Sequence, residues 1–331
     1  MELRLFSAAD VDRALPMAQA IAAVKAAYVQ LSAGRAQAPL RTHLAVAEGD
    51  STLVMPFYVP AAGAGEAGAL GLKLVSVFSS NPPAGRPLIH ALVLALDAAS
   101  GAPLALIEGG TLTAIRTGAA SGAATDALAR PDARVLALFG AGVQARRQLE
   151  AVCTVRAIAR VQVYSPVGAE ALAAEMAGRG PIPAEIVVVA SPRAALADAD
   201  VVCAATTSRT PVFADADLKP GAHVNGIGSF TPDMQEIDAA TVRRARVVVD
   251  SRPAALAEAG DLIIPLRAGA FGREHVSDEI GEVLAGHKPG RTRAAQITFF
   301  KSVGVAVQDA AAARLVAANG AALGLGQVVT L

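Results

Sequence analysis

The sequence predicts an α/β chain with two kinds of sheet: an α+β part with a mostly antiparallel sheet, then a doubly wound parallel sheet. Three observations lead there. Strand-like runs follow one another up to PLALIEGG, interrupted only by short turns. From Arg134 onwards apolar strand-like runs alternate with helical stretches. Between them, VLALFGAGVQARRQL (135–149) sets two glycines between an apolar run and a helix-favouring, cationic stretch.

Taken in order, Ser7 is a helix N-cap, and a helical pattern runs from Ala8 towards Leu31, reset at Pro16 and ended by Gly34. RTHLAV and STLVMPFYV read as short strands around an EGD turn, and a Gly/Ala-rich hairpin or loop occupies 61–70. LGLKLVSVF, HALVLALD and PLALIEGG are three more strands, punctuated by NPPAG and ASG. The small-residue stretch TAIRTGAASGAATDALA is a helix, and Pro131 marks a boundary. Then come VLALFG, a helix from Val143, VQVYS, a helix through 168–178, EIVVVAS, a helix near 192–198 and VVCAAT. HVNGIG, VVVD and LIIPL are later strands, and past Phe299 a long Ala-rich helix, SVGVAVQDAAAARLVAANG, closes the chain. Alternation of this kind calls for a parallel sheet with helices on both faces.

Composition narrows the function. The 331 residues carry 29 basic and 29 acidic side chains, so the net charge is zero and there is no electrostatic footprint for nucleic acid. That length fits two domains, or one with a large insertion. Apolar residues make up 53 %, enough for a sizeable core. Cys153 and Cys203 lie in apolar surroundings and read as buried thiols of a reducing cytoplasm rather than a disulfide framework. The N-terminus, MELRLFSAADVDRAL, has acids where a signal peptide would be apolar. The most apolar stretch is broken by His90, Asp97, Gly101 and Pro103, short of the roughly 18–20 residues of a membrane span. A soluble, cytoplasmic protein without a membrane partner is expected.

Gly140-Ala-Gly142-Val143-Gln144-Ala145 matches G-x-G-x-x-A in the strand–turn–helix context the motif requires. The first glycine permits a tight turn. The second lets a pyrophosphate approach the backbone, and Ala145 lets the helix pack close to its strand. The helix N-terminus adds N–H donors and a positive dipole end. A Rossmann dinucleotide site is therefore expected. NAD sites place a carboxylate at the end of the second strand, about 20 residues after the glycines. Here that strand, VQVYS, ends at Ser165 followed by Pro166. A hydroxyl without a negative charge tolerates a 2′-phosphate, with Arg146 or Arg160 as the cation, so the cofactor is NADP or NAD with the balance towards NADP. The other reading of Ser165 is a cap on the next helix.

Three cations sit in apolar or small-residue company: Arg41 in PLRTHL, Lys73 in LGLKLVS and Arg116 in TAIRTGAAS. A charge removed from water needs a partner. Either carboxylates of the protein pair with them, or together they hold an anionic ligand.

GAGVQA, AIRTGAAS, VNGIGSFTPDMQEID and FKSVGVAVQDAAAA together resemble the ornithine cyclodeaminase/mu-crystallin family, in the right order over essentially the whole chain. The resemblance implies a Rossmann domain (131–298) inserted in an α+β substrate-binding and dimerisation domain (1–130 plus 299–331), and a homodimer. It makes Arg41, Lys73 and Arg116 the ligands of the substrate carboxylate and brings His90 near the substrate. Asn225 and Gly228 would line the cofactor, and Ser302 and Gly304, at the start of the last helix, would flank the nicotinamide. Cyclodeaminases carry an aspartate where this chain has Phe230; Asp233, three residues on, is the arrangement of the dehydrogenase and reductase members. The expected activity is NAD(P)H-dependent reduction of a small cyclic 2-imino acid, pyrroline-2-carboxylate or piperideine-2-carboxylate, with Lys73 and Asp233 catalytic. Ornithine cyclodeaminase, alanine dehydrogenase and an NADPH-dependent binding protein are the alternatives.

Overall fold

A computed structural model describes residues 2–61, 63 and 67–331. The first stretch holds β1 (Glu2–Phe6), α1 (Ala8–Ala14), α2 (Met17–Ser32), β2 (Thr42–Ala47), β3 (Asp50–Val59), β4 (Ala69–Phe78), β5 (Ile89–Leu96), β6 (Pro103–Glu108) and α3 (Gly109–Leu128). Next come β7 (Val135–Phe139), α4 (Val143–Val155), β8 (Arg160–Tyr164), α5 (Ala169–Met176), β9 (Ile186–Val188), α6 (Pro192–Leu196), β10 (Val201–Ala204) and β11 (His223–Gly226). The chain ends with α7 (Ala239–Arg244), β12 (Arg246–Val249), α8 (Arg252–Glu258), α9 (Gly260–Arg267), β13 (Asp278–Glu279), α10 (Ile280–Leu284), β14 (Thr298–Lys301), α11 (Ala306–Ala322) and β15 (Gln327–Thr330). Part of the loop expected at 61–70 lies outside the described residues; Ala69 and Leu70 already belong to β4.

Two compact units result, Met1–Arg116 with Val305–Leu331, and Thr117–Gly304. The division falls inside α3 and after β14, not at Pro131 and Phe299. The reason is local bonding. The C-terminal half of α3 is tied to the second unit: Gln148 donates to the Thr117 carbonyl, and Arg156 donates to the carbonyls of Thr125, Asp126 and Ala129.

The first unit is a seven-stranded sheet of order β15-β1-β6-β5-β4-β3-β2, antiparallel except for the β1–β6 pair. Strand alternation gives each face one residue set. Leu53, Met55, Phe57, Val75, Val93, Ala95, Ala105 and Ile107 are buried on the face covered by α11. The other face presents Leu44, Leu74, Leu92 and Leu104, all exposed. Ser7 caps α1 in a capping box with Asp10, as the S-x-x-D spacing requires.

The second unit is an eight-stranded, wholly parallel sheet of order β13-β12-β14-β11-β10-β7-β8-β9. Its central strands β10, β11 and β14 are buried at every position, as helices on both faces demand. Strand order reverses at β7, with β8 on one side and β10 on the other, and the carboxyl ends at such a switch point form a ligand crevice. Cys153 and Cys203 are buried and free.

LIIPL is not a strand but part of α9, which opens at Gly260. A five-residue apolar run carries no periodicity that separates a buried helix from a buried strand. The closing helix opens at Ala306 rather than at Ser302, because Gly304 at φ +82° cannot belong to a right-handed helix. No helix among the described residues is long and apolar enough to cross a membrane.

Phe6, buried in β1, lies between Gly320 of α11 and Gly326; a Cβ on Gly320 would stand 2.3 Å from the ring. Two effects oppose each other in Gly320→Ala. Helix propensity favours alanine by about 1 kcal/mol, while overpacking a full core costs about 1–3 kcal/mol. We expect the clash to win and the urea midpoint to fall; an unchanged or raised midpoint would show that Phe6 yields freely.

Candidate functional site

Lys73 lies in β4, in register with Met55 and Val93, and so on the face that α11 covers. It is 1 % exposed, with Nζ 2.9 Å from both carboxylate oxygens of Asp309 in α11. The same carboxylate accepts from Arg116 Nε at 3.0 Å. Arg116 Nη1 donates to Gln308 Oε1 at 2.6 Å, and Gln308 Nε2 reaches the Tyr28 hydroxyl at 2.6 Å. Two buried cations thus share one carboxylate. Arg41 stands one residue before β2, where strand alternation turns it to the Lys73 side, and its charge acts on Lys73. Burial, then the charges of Arg116 and Arg41, push the Lys73 ammonium down to about 7 against the pull of Asp309. Burial also works against the Asp309 anion, but Arg116 and Lys73 outweigh it and hold that carboxyl below its ordinary value. Of the alternatives raised by the three cations, the structure shows a protein carboxylate pairing with two of them, so within this trio of side chains two cations face one anion.

His90 does not join this group. It pairs with Ser76, on the opposite face of the sheet from Lys73, and is exposed. Nor does Asp233 look like a proton donor. It is largely exposed, accepts from the Thr231 hydroxyl at 2.6 Å and pairs with Arg209 at 2.9 Å, which keeps it an anion. An aspartate held in that form has no proton to give near neutral pH.

In the second unit β7 runs into the glycine turn. Gly140 has φ +100°, and a Cβ there would lie 2.5 Å from the Ala205 carbonyl, so only glycine fits. Gly142 is the N-cap of α4, has no side-chain cap, and has open space where a Cβ would stand. Ala145 is fully buried beneath, and Val143 is exposed at the helix start. Gln144 Oε1 is buried without a hydrogen-bond partner. Uncapped N–H groups and an open glycine face fit a bound dinucleotide. Those residues would hold its pyrophosphate; the group itself supplies a transferable hydride. Ser165 does not cap α5, whose N-cap is Gly168; its hydroxyl donates to the Val167 carbonyl at 2.8 Å. Arg160 opens β8 and so stands at the amino end of that strand, the wrong edge for a ligand at the switch point.

Carboxylates that sequence reasoning passed over organise the neighbouring loops. Glu236 accepts from Thr206 N and Gly228 N, each at 2.6 Å, and from Ser229 N at 3.1 Å, tying the loops after β10 and β11 together. Asp250 accepts from Ser302 Oγ, Val303 N and Gly304 N at 2.8–2.9 Å. Asp261 accepts from Glu236 N and Ile237 N and pairs with Lys301 at 2.9 Å. Burial raises Glu236, helped by Asp261, and burial also raises Asp250. These bonds fix three residues expected near the cofactor. The Asn225 amide is committed to Thr125 Oγ1 and His223 within the protein, Ser302 is committed to Asp250, and the Gly228 N–H to Glu236. Ser302 and Gly304 also precede the last helix instead of opening it. The missed signal was present: QDAAAA, QEID, VVVD and AGDLIIP each set an acid in apolar company, as the three cations are set. No group of His, Cys, Asp and Glu that could hold a metal ion occurs among the described residues.

A Δ1-pyrroline-2-carboxylate reductase from Bacillus cereus is 38 % identical over 325 residues, 98 % of each chain. The structure of Thermococcus litoralis Δ1-pyrroline-2-carboxylate reductase in complex with NADH and L-proline superposes with a TM-score of 0.91 at 41 % identity, covering 98 % of this chain and 99 % of that one. An archaeal alanine dehydrogenase dimer with bound NAD gives a TM-score of 0.91 at 33 % identity, covering 100 % of both chains. The model of the ornithine cyclodeaminase/mu-crystallin family matches residues 1–322, and the chain belongs to that family.

Proposed function

We propose that this chain is an NAD(P)H-dependent reductase of a small cyclic 2-imino acid, of which pyrroline-2-carboxylate is the first candidate and proline the product. The observation that carries the reading is the Lys73–Asp309–Arg116 cluster, whose excess positive charge suits a carboxylate ligand. Support outside the molecule comes from the Bacillus cereus reductase at 38 % identity over nearly the whole chain. Two buried free thiols accord with a reducing cytoplasm.

In this reading Arg116 and Arg41 hold the substrate carboxylate, the former as the bidentate donor a guanidinium is suited to be. Lys73 adds a point contact and a proton. Reduction of the C=N bond takes a hydride at C2 and a proton at nitrogen. An ammonium at about 7 is loaded near neutrality and releases its proton readily, as a general acid should. Asp309 keeps that ammonium charged and fixes both side chains. Gly140, Gly142, Val143, Gln144 and Ala145 receive the nucleotide. Phe230 replaces the aspartate of the cyclodeaminases and cannot accept a proton from a substrate amine, so ornithine with NAD should yield no proline.

The chain is further proposed to form a homodimer through the open face of the seven-stranded sheet. Leu44, Leu74, Leu92 and Leu104 are exposed there together, and the archaeal neighbour is described as a dimer. A contiguous exposed apolar face of this kind marks an interface.

Four outcomes test these statements. Lys73→Met should lower kcat for pyrroline-2-carboxylate reduction by about 10²–10⁴-fold while nucleotide affinity, read by fluorescence titration, stays within about threefold; equal turnover would remove Lys73 from the chemistry. Because the ammonium is required, kcat/KM for reduction should fall as pH rises through about 7. Asp309→Asn removes the charge that raises Lys73, so the same limb should move to lower pH, with activity partly restored in acid; a limb that stays in place would uncouple the two residues. Leu92→Arg should convert a dimer to a monomer in sedimentation velocity, and a monomeric parent protein would end the dimer proposal.

A further inference from the structure

The parallel sheet raises a question about coenzyme choice that rests on the nucleotide reading above. A dinucleotide on the glycine turn sets its adenosine ribose at the carboxyl end of the second strand. In this chain that end is Ser165-Pro166-Val167-Gly168, which has neither the carboxylate of an NAD site nor the arginine of an NADP site. Gly168, at φ +80°, lies against the turn, with a Cβ there falling 3.7 Å from the Ala141 Cβ.

Arg146 is a charged group tied to this junction. Its Nη1 donates to the carbonyls of Ala141 at 2.6 Å and Gly142 at 3.2 Å, which anchors the guanidinium at the turn. Its Nε and Nη2 both reach Glu175 Oε2 of α5 at 2.8 Å. Arg146 stands in the first turn of α4, at the carboxyl edge of the sheet, and its guanidinium draws the carboxylate of Glu175, from the last turn of α5, to that side. The other arginines near this pair are placed differently. Arg147 pairs with Glu150 at 2.9 Å, Arg160 stands at the opposite edge of β8, and Arg179 lies beyond the end of α5, 4.0 Å from Glu175 Oε1 and largely exposed.

We propose that this chain prefers NADH to NADPH, and that Glu175, held by Arg146 beside the glycine turn, sets the preference. The pair offers Arg146 to a 2′-phosphate only together with a carboxylate, so a dianionic phosphate meets like charge where a ribose hydroxyl meets an acceptor. The carboxylate absent from the end of β8 is supplied from the following helix.

Calorimetric titration of the intact protein with NADH, NADPH and adenosine 2′,5′-bisphosphate tests this without turnover. The parent protein should bind NADH about tenfold or more tighter than NADPH, the size of one opposed charge pair near a protein surface. Glu175→Gln frees Arg146 and should tighten NADPH and the bisphosphate by about tenfold, with NADH changed by less than about threefold. Because the discrimination is electrostatic, it should shrink at high ionic strength, which a steric role would not produce. Equal affinity for the two nucleotides in the parent, or a ratio that Glu175→Gln leaves unchanged, overturns the assignment. Failure of both nucleotides to bind the parent would instead overturn the reading of the glycine turn.

Discussion

A single buried carboxylate, Asp309, serves two buried cations in the first unit, and the chemistry proposed for the protein follows from that shortage of negative charge. Removing one ammonium and one guanidinium from water is tolerable only with a partner. Supplying one partner for two leaves an anion-seeking site already dehydrated and already fixed in geometry. The same shortage sets the acidity of Lys73: a second carboxylate would hold its proton too firmly for transfer, and none at all would leave it neutral at physiological pH. The Gln308–Tyr28 bonds extend the arrangement, so Arg116 is held from both of its ends.

In the parallel sheet buried carboxylates do the converse work. Glu236, Asp250 and Asp261 accept mainly from backbone N–H groups, and each joins segments that lie beside one another at the carboxyl ends of the strands. Loops at that edge must present a defined surface to a ligand, yet their N–H groups have no ladder to satisfy them. A carboxylate with two oxygens can satisfy two or three such groups at once, which immobilises the loop as it pairs the donors. The Lys301–Asp261 pair sets a cation beside one of these acids away from solvent.

Hydride-transfer proteins of this kind differ among themselves less in the transfer than in what they admit. In the proposed reading, the cation cluster of the first unit answers to an acid function on the substrate, and the surroundings of the glycine turn answer to the nucleotide. Both are questions of uncompensated charge, answered by which acid sits beside which base. Arg116 and Arg146 show the two answers: the first shares its partner with Lys73, and the second has Glu175 together with two turn carbonyls.

The alternation of strands and helices, the helix cap at Ser7, the glycine turn and the three cations in apolar company were all legible in the sequence, because each is written in residues close together. Periodicity, capping and backbone permissiveness act over a few positions. What only the tertiary structure decided is which charges meet. Lys73 and Asp309 are 236 residues apart, and nothing local in LGLKLVS points to QDAAAA. His90 was a candidate for the substrate's surroundings, until the register of β4 and β5 put it on the opposite face from Lys73. Asn225 and Ser302 were legible as polar residues near a cofactor, but partners from distant strands and loops had already claimed them. Burial, pairing and acidity depend on neighbours brought together by folding, so the local sequence can nominate a charged residue and only the packed chain can assign its partner.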